Sequence, residues 1–222
     1  MTNDLKTVLA AAGRFLAYCL LAALPVLLLR HDLHLLGADI GEASLVELTQ
    51  AGFLLASMLS FAVLAWRRDD DRRFAVLAAA LFGCMFVREQ DAWLDVLLFH
   101  GAWKYVGTPV ALAAIAYALG DRRATLAGLA RFLRSRAGTV MLLALVLLLC
   151  WSRLLGMTGI WTTVLGDGYV RGVKNAVEES SELLGYTFVL VASIGYLTQR
   201  VRSLAAQPHT AGPRGAPARQ AL

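Results

Sequence analysis

The chain has 222 residues, is 58% hydrophobic and 17% charged, and has a mean hydropathy of +0.61. A charged share this far below the ~25% of soluble domains excludes an ordinary water-soluble fold. The net charge of +5 does not mark a nucleic-acid binder, because in a membrane chain an Arg and Lys excess is first a topology signal.

The apolar residues come in blocks of about twenty, enough to cross ~30 Å of hydrocarbon at 1.5 Å per residue. The sequence therefore predicts an all-α, polytopic transmembrane helical bundle with six spans. A transmembrane domain over 1–204 is followed by a tail over 205–222, whose Ala, Pro, Gly and Arg content predicts disorder.

The first span is predicted over Val8–Leu29. Lys6 and Arg14 flank or enter it, and no small-residue cleavage site follows before Arg30, so it reads as a retained signal anchor. His31 and His34 lie just beyond it, in what reads as an interfacial loop. The second span, Leu45–Trp66, carries Glu47 and Gln50 near its head. The charged turn 67–73 leads into the third, Phe74–Leu98, whose end holds Arg88, Glu89, Asp91 and Asp95, with His100 just after. The fourth, Ala102–Leu119, contributes Lys104. Residues 121–137 read as a short basic amphipathic helix lying on an anionic membrane surface: Leu126, Leu129, Phe132 and Leu133 recur at helical spacing among five arginines. The fifth span, Thr139–Met157, brings Arg153, and the segment 158–177 reads as an interfacial anchor through Trp161 and Tyr169. The sixth, Glu178–Gln199, opens with Glu178, Glu179 and Glu182.

The connections sort by charge. The N-terminus, 67–73, 121–137 and the tail hold 15 Lys and Arg against 5 Asp and Glu; the opposite side holds 6 against 11. The positive side is the cytoplasmic one, so both termini are expected in the cytoplasm. The Ala-, Leu- and Arg-rich composition suits a bacterial inner membrane protein.

Depth then gathers the inner charges. Counting from the span ends puts Glu47, Gln50, Arg88, Glu89, Asp91, Asp95, Lys104, Arg153, Glu178, Glu179 and Glu182 in the outer third of the bundle. A charge inside a span costs ~2.5–3.5 kcal/mol on insertion scales and usually marks function. Arg88, Asp91 and Asp95 fall at i, i+3 and i+7, one helix face, as do Asn175, Glu178 and Glu182. The expected pairings are Arg88 with Glu182 or Glu179, and Lys104 with Asp91 or Asp95. Seven acids face three bases, and a surplus of buried acids must take up protons, bind a cation or reach water.

Three functions fit. The first is a transporter-like protein handling a small solute or ion at this net-acidic pocket. The second is an intramembrane enzyme acting on lipid head groups through a divalent metal, for which His31, His34 and His100 are the candidate ligands beside the acids. The chain has no H-E-x-x-H, G-x-S-x-G or P-loop motif to support it. The third is a non-catalytic sensor or assembly partner. The expected partners are the lipid bilayer and, for a lone carrier of six spans, a second copy in a homodimer; no nucleic acid is expected. Cys19, Cys84 and Cys150 all fall in apolar runs and read as small buried hydrophobes.

Overall fold

The computed structural model describes residues 2–36 and 44–205. Within them the chain is helical, with no strand. In order come α1 (Asn3–Leu36), α2 (Leu45–Arg67), α3 (Arg72–Glu89), α4 (Asp91–Leu97), α5 (Ala102–Leu119) and α6 (Arg122–Leu133). Then follow α7 (Arg136–Val146), a π-helical turn (Leu147–Trp151), α8 (Ser152–Leu155), α9 (Thr158–Leu165), a 3-10 turn (Gly166–Gly168) and α10 (Arg171–Ala205). Among the described residues, four helices are long and apolar enough to cross a membrane: 3–35, 45–67, 136–155 and 171–203. The predicted tail, apart from Ala205 at the end of α10, lies outside the described residues.

Several expected boundaries move. The first helix does not stop at Leu29 but runs 34 residues, so His31 and His34 sit on a helix rather than in a loop. The extension places Asp32, fully buried, where its Oδ2 accepts the Val46 N–H at 3.0 Å. Ser44 Oγ accepts the Glu47 N–H at 3.2 Å, so two oxygens satisfy the first turn of α2, one of them supplied by α1. The third predicted span breaks. Gln90 takes φ −97° and ψ 16°, which ends α3 and starts the seven-residue α4. The segment 121–137 does contain the predicted helix, α6, capped by Asp121 through the Ala124 N–H at 3.0 Å.

α10 is the central helix, packed on α2, α7 and α1, while α2 and α5 flank α3. Close approach depends on glycines at two further seams, α10 on the π turn and α6 on α3. A Cβ on Gly185 of α10 would stand 2.7 Å from Leu148 Cδ1, and one on Gly128 of α6 would stand 2.9 Å from Phe74 Cβ. Gly13 and Gly52, by contrast, face open space. At one end of the bundle Phe61, Phe74, Phe132 and Tyr196 stack into an aromatic core; Phe132 alone reaches Phe74 at 5.2 Å and Tyr196 at 4.9 Å between ring centroids. These four rings come from α2, α3, α6 and α10, so they join the elements that the glycine seams bring close. Cys84 is half-buried and its Sγ donates to Gly107 O at 3.3 Å, whereas Cys19 and Cys150 are exposed on the outside of the bundle, contrary to expectation.

Above that core sits an ionic clasp. Asp71, 0% exposed, accepts from Arg131 of α6 (Nε at 3.0 Å and Nη2 at 2.8 Å) and from Arg200 of α10. Its exposed neighbour Asp70 takes a two-pronged contact from Arg68, both bonds at 2.9 Å, and a further one from Arg200. Two guanidinium groups thus close the α2–α3 turn onto α6 and α10. The hydrogen bonds from Arg68, followed by the nearby charge of Arg200, hold the Asp70 carboxyl down at about 2.

Removing one partner of a buried ionic contact leaves the others uncompensated. Asp71→Asn is expected to lower stability by ~3 kcal/mol, read as a fall in the thermal midpoint in detergent, with Asp70→Asn costing less. Because the folded Asp70 carboxyl titrates at about 2 against an ordinary value of 3.8, its contribution is present above pH 4 and is lost as pH falls toward 2. The gap between wild type and Asp70→Asn should therefore close over that interval.

Candidate functional site

At the other end of the bundle the predicted charges do meet, though not in the expected pairs. The π turn carries α7 into α8 with an extra residue in its turn, and Ser152 Oγ, fully buried, donates back to Leu148 O at 2.7 Å. π turns of this kind concentrate at functional positions. Just beyond it Arg153 Nη2 reaches Glu182 Oε1 at 2.7 Å, and Nη1 reaches Glu178 Oε1 at 3.6 Å. Glu182 is 6% exposed and Arg153 45%, so the pair joins a buried carboxylate to a guanidinium open on one side. Lys174 binds Glu178 Oε2 at 2.8 Å one helical turn back. Gly156 leaves the space that the Glu178 carboxylate occupies: any Cβ there would collide with it.

The neighbouring acids are held differently. Gln50 of α2, 1% exposed, donates its amide to Glu179 Oε2 at 3.0 Å and to Glu179 O at 3.3 Å. Tyr186 of α10, also buried, donates its hydroxyl to Glu89 Oε1 at 2.9 Å, and Arg88 Nη1 reaches the same oxygen at 3.2 Å. Glu89, Glu179 and Glu182 lie close enough for each to act on the others electrostatically. Four helical segments (α2, α3, α8 and α10) thus supply one polar cluster.

Arg88 pairs with its neighbour Glu89, not with Glu182 or Glu179. The rotation of α3 turns Glu89 toward Tyr186 of α10, and the break at Gln90 takes Asp91 and Asp95 off the helix face of Arg88. Asp91, with Glu47 and Glu89, instead lines a pocket of about 230 Å³ between α2 and the α3–α4 junction. Asp95 lies apart. It accepts the Gly101 N–H at 2.8 Å and meets His100 Nδ1 at 2.6 Å, where Gly101 takes φ 81° to start α5. The Gly101 N–H, then His100 and Lys104, hold the Asp95 carboxyl below its usual range. Lys104 acts on Asp95 in this way, as one of the two expected partners, but extends over Trp103.

The candidate metal ligands do not assemble. Among the described residues His31 reaches its neighbour Asp32, at 4.0 Å, and His100 is almost fully exposed on Asp95. Among the described residues no group of three or more His, Cys, Asp or Glu side chains is placed to hold a metal ion.

Three participants escaped the sequence reading: Tyr186, Lys174 and Asp32. Tyr186 follows Glu182 by four residues, so helical spacing alone places it one turn away on the same face. Asp32 had no such signal, because its role depends on α1 running on to Leu36.

A double-mutant cycle on Arg153 and Glu182, read by thermal stability, should give a coupling of about 1–2 kcal/mol, intermediate between exposed and buried pairs. The same cycle on Arg88 and Glu182 should give a value near zero.

No protein-family model matches the chain, and neither a curated protein nor a solved structure matches it.

Proposed function

We propose that this is an integral membrane protein that handles a small cation, the proton included, at the cluster of Glu89, Glu179 and Glu182. The chain is helical and contains helices able to cross a membrane. In this reading α3 and α5, at 18 residues each, complete a bundle of six spans, with the Asp71 end and both termini on the cytoplasmic side. The bundle then sits in a bacterial inner membrane, and the acidic cluster opens outward.

One observation carries the reading. The hydrogen-bond partner of Glu179 is the buried Gln50 amide, and Glu89 is held by the neutral hydroxyl of Tyr186 as well as by Arg88. Amide and hydroxyl partners hold a carboxylate in place without neutralising it, so negative charge remains for an incoming cation to balance. The adjoining pocket beside Glu47, Glu89 and Asp91 offers a route from the surface to that charge. The same contacts would also hold four helix segments together, which supports the sensor or assembly reading. The metal-dependent enzyme draws no comparable support.

In proteoliposomes loaded with a pH-sensitive dye, wild-type protein should move protons, or exchange them for Na⁺ or K⁺, when a gradient is imposed. Glu179→Gln preserves the shape and a hydrogen-bonding side chain facing Gln50, so it should abolish the flux while the thermal midpoint holds. Wild-type flux equal to that of empty liposomes would rule out cation handling. Unchanged flux in Glu179→Gln would rule out this cluster as its site.

A further inference from the structure

Away from the acidic cluster, an apolar space of about 400 Å³ opens among α3, α5, α6 and α7. Phe82, Ala114, Leu142 and Leu145 are among its walls. A second space of about 240 Å³ adjoins it toward the Asp71 end and shares Leu77, Ile115 and Thr125 with it. The Thr125 hydroxyl donates to Ala118 O at 2.7 Å, so even this side chain presents its methyl group to the groove. Along α3 the walls run from Phe74 to Cys84, a rise of about 15 Å at 1.5 Å per residue.

Two arginines at the mouth are unengaged, and the one acid beside them, Asp121, is taken up in capping the Ala124 N–H. Arg122, at the start of α6, lines the second space, is exposed and makes no side-chain hydrogen bond or ion pair among the described residues. Arg123 beside it is likewise exposed and unpaired there. Other arginines of this end are engaged: Arg131 and Arg200 on Asp71, Arg68 on Asp70, and Arg73 on the Tyr117 carbonyl and ring. Leu126, one turn along α6, is exposed, as an interfacial helix resting on acyl chains requires.

We propose that this groove is a binding site for an anionic phospholipid, with an acyl chain along Leu77–Cys84 and the phosphate at Arg122 and Arg123. An inserted peptide would bring backbone N–H and C=O groups into walls that cannot pair them, whereas a methylene chain needs no such partner. The arginines supply the charge complement that a zwitterionic lipid would satisfy less well. This site is independent of the acidic cluster.

The test uses the delipidated full-length protein in detergent and native mass spectrometry, with phosphatidylglycerol, phosphatidylcholine and inorganic phosphate as probes. At about a factor of five per arginine, phosphatidylglycerol should bind roughly 30-fold more tightly than phosphatidylcholine. Arg122→Gln with Arg123→Gln, both at exposed positions, should remove that preference and leave the weaker binding of both lipids. Ile115→Trp, on the shared wall, should weaken both. Equal binding of the two lipids by wild type, or a preference that survives loss of both arginines, would overturn the proposal. Displacement of phosphatidylglycerol by millimolar inorganic phosphate would overturn it too, by showing an anion site without a chain site.

Discussion

A carboxylate withdrawn from water costs several kcal/mol unless the protein supplies replacement partners, and Asp71 and Glu182 are both withdrawn here. Each is answered by arginine from another element: Arg131 and Arg200 at one end, Arg153 at the other. α10 takes part in both contacts, contributing Arg200 near its end and Glu182 in its first half. The helix is thus tied at one level to the α2–α3 turn, which Arg131 of α6 also holds, and at the other to α8, and the apolar core between those levels packs against a helix already fixed in rotation. A turn of α10 about its axis would strand a charge at each end.

The two ends differ in kind. At the Asp71 end every acid of the clasp meets a guanidinium, and the outcome is a stable turn. At the Glu182 end amide and hydroxyl partners take a share of the acids: Gln50 on Glu179, Tyr186 on Glu89. Hydrogen bonds of that sort place a charge precisely and leave it available. The same contacts tie α2 and α3 to α10.

The groove by Arg122 follows another side of the same constraint. α3 and α5 separate enough from α7 to leave apolar space, and a bilayer supplies chains able to fill it. Voids lined by methyl groups forfeit dispersion contacts when empty. A lipid chain restores them without demanding any hydrogen bond, and the arginines at the mouth choose among head groups.

Composition and block length alone determined the helical class, the presence of helices long and apolar enough to cross a membrane, and the gathering of Glu47, Gln50, Glu89, Arg153, Glu179 and Glu182 toward one end. Those conclusions depend on hydropathy and rise per residue, which are local properties. Pairing was beyond reach of the same reasoning. Whether Arg88 or Glu89 turns toward α10 depends on how α3 is rotated in the bundle, and whether Asp91 and Asp95 follow depends on the break at Gln90, a backbone choice with no Pro or Gly to announce it. Whether Asp32 is a loop residue or the cap of α2 depends on how far α1 runs. Arg153 reaches Glu182 because a π turn rotates α8, and that turn forms against Gly185, far away in sequence. Periodicity settles which residues share a depth; only packed helices decide which of them face one another, because facing is set by rotation, and rotation is set by contacts between distant parts of the chain.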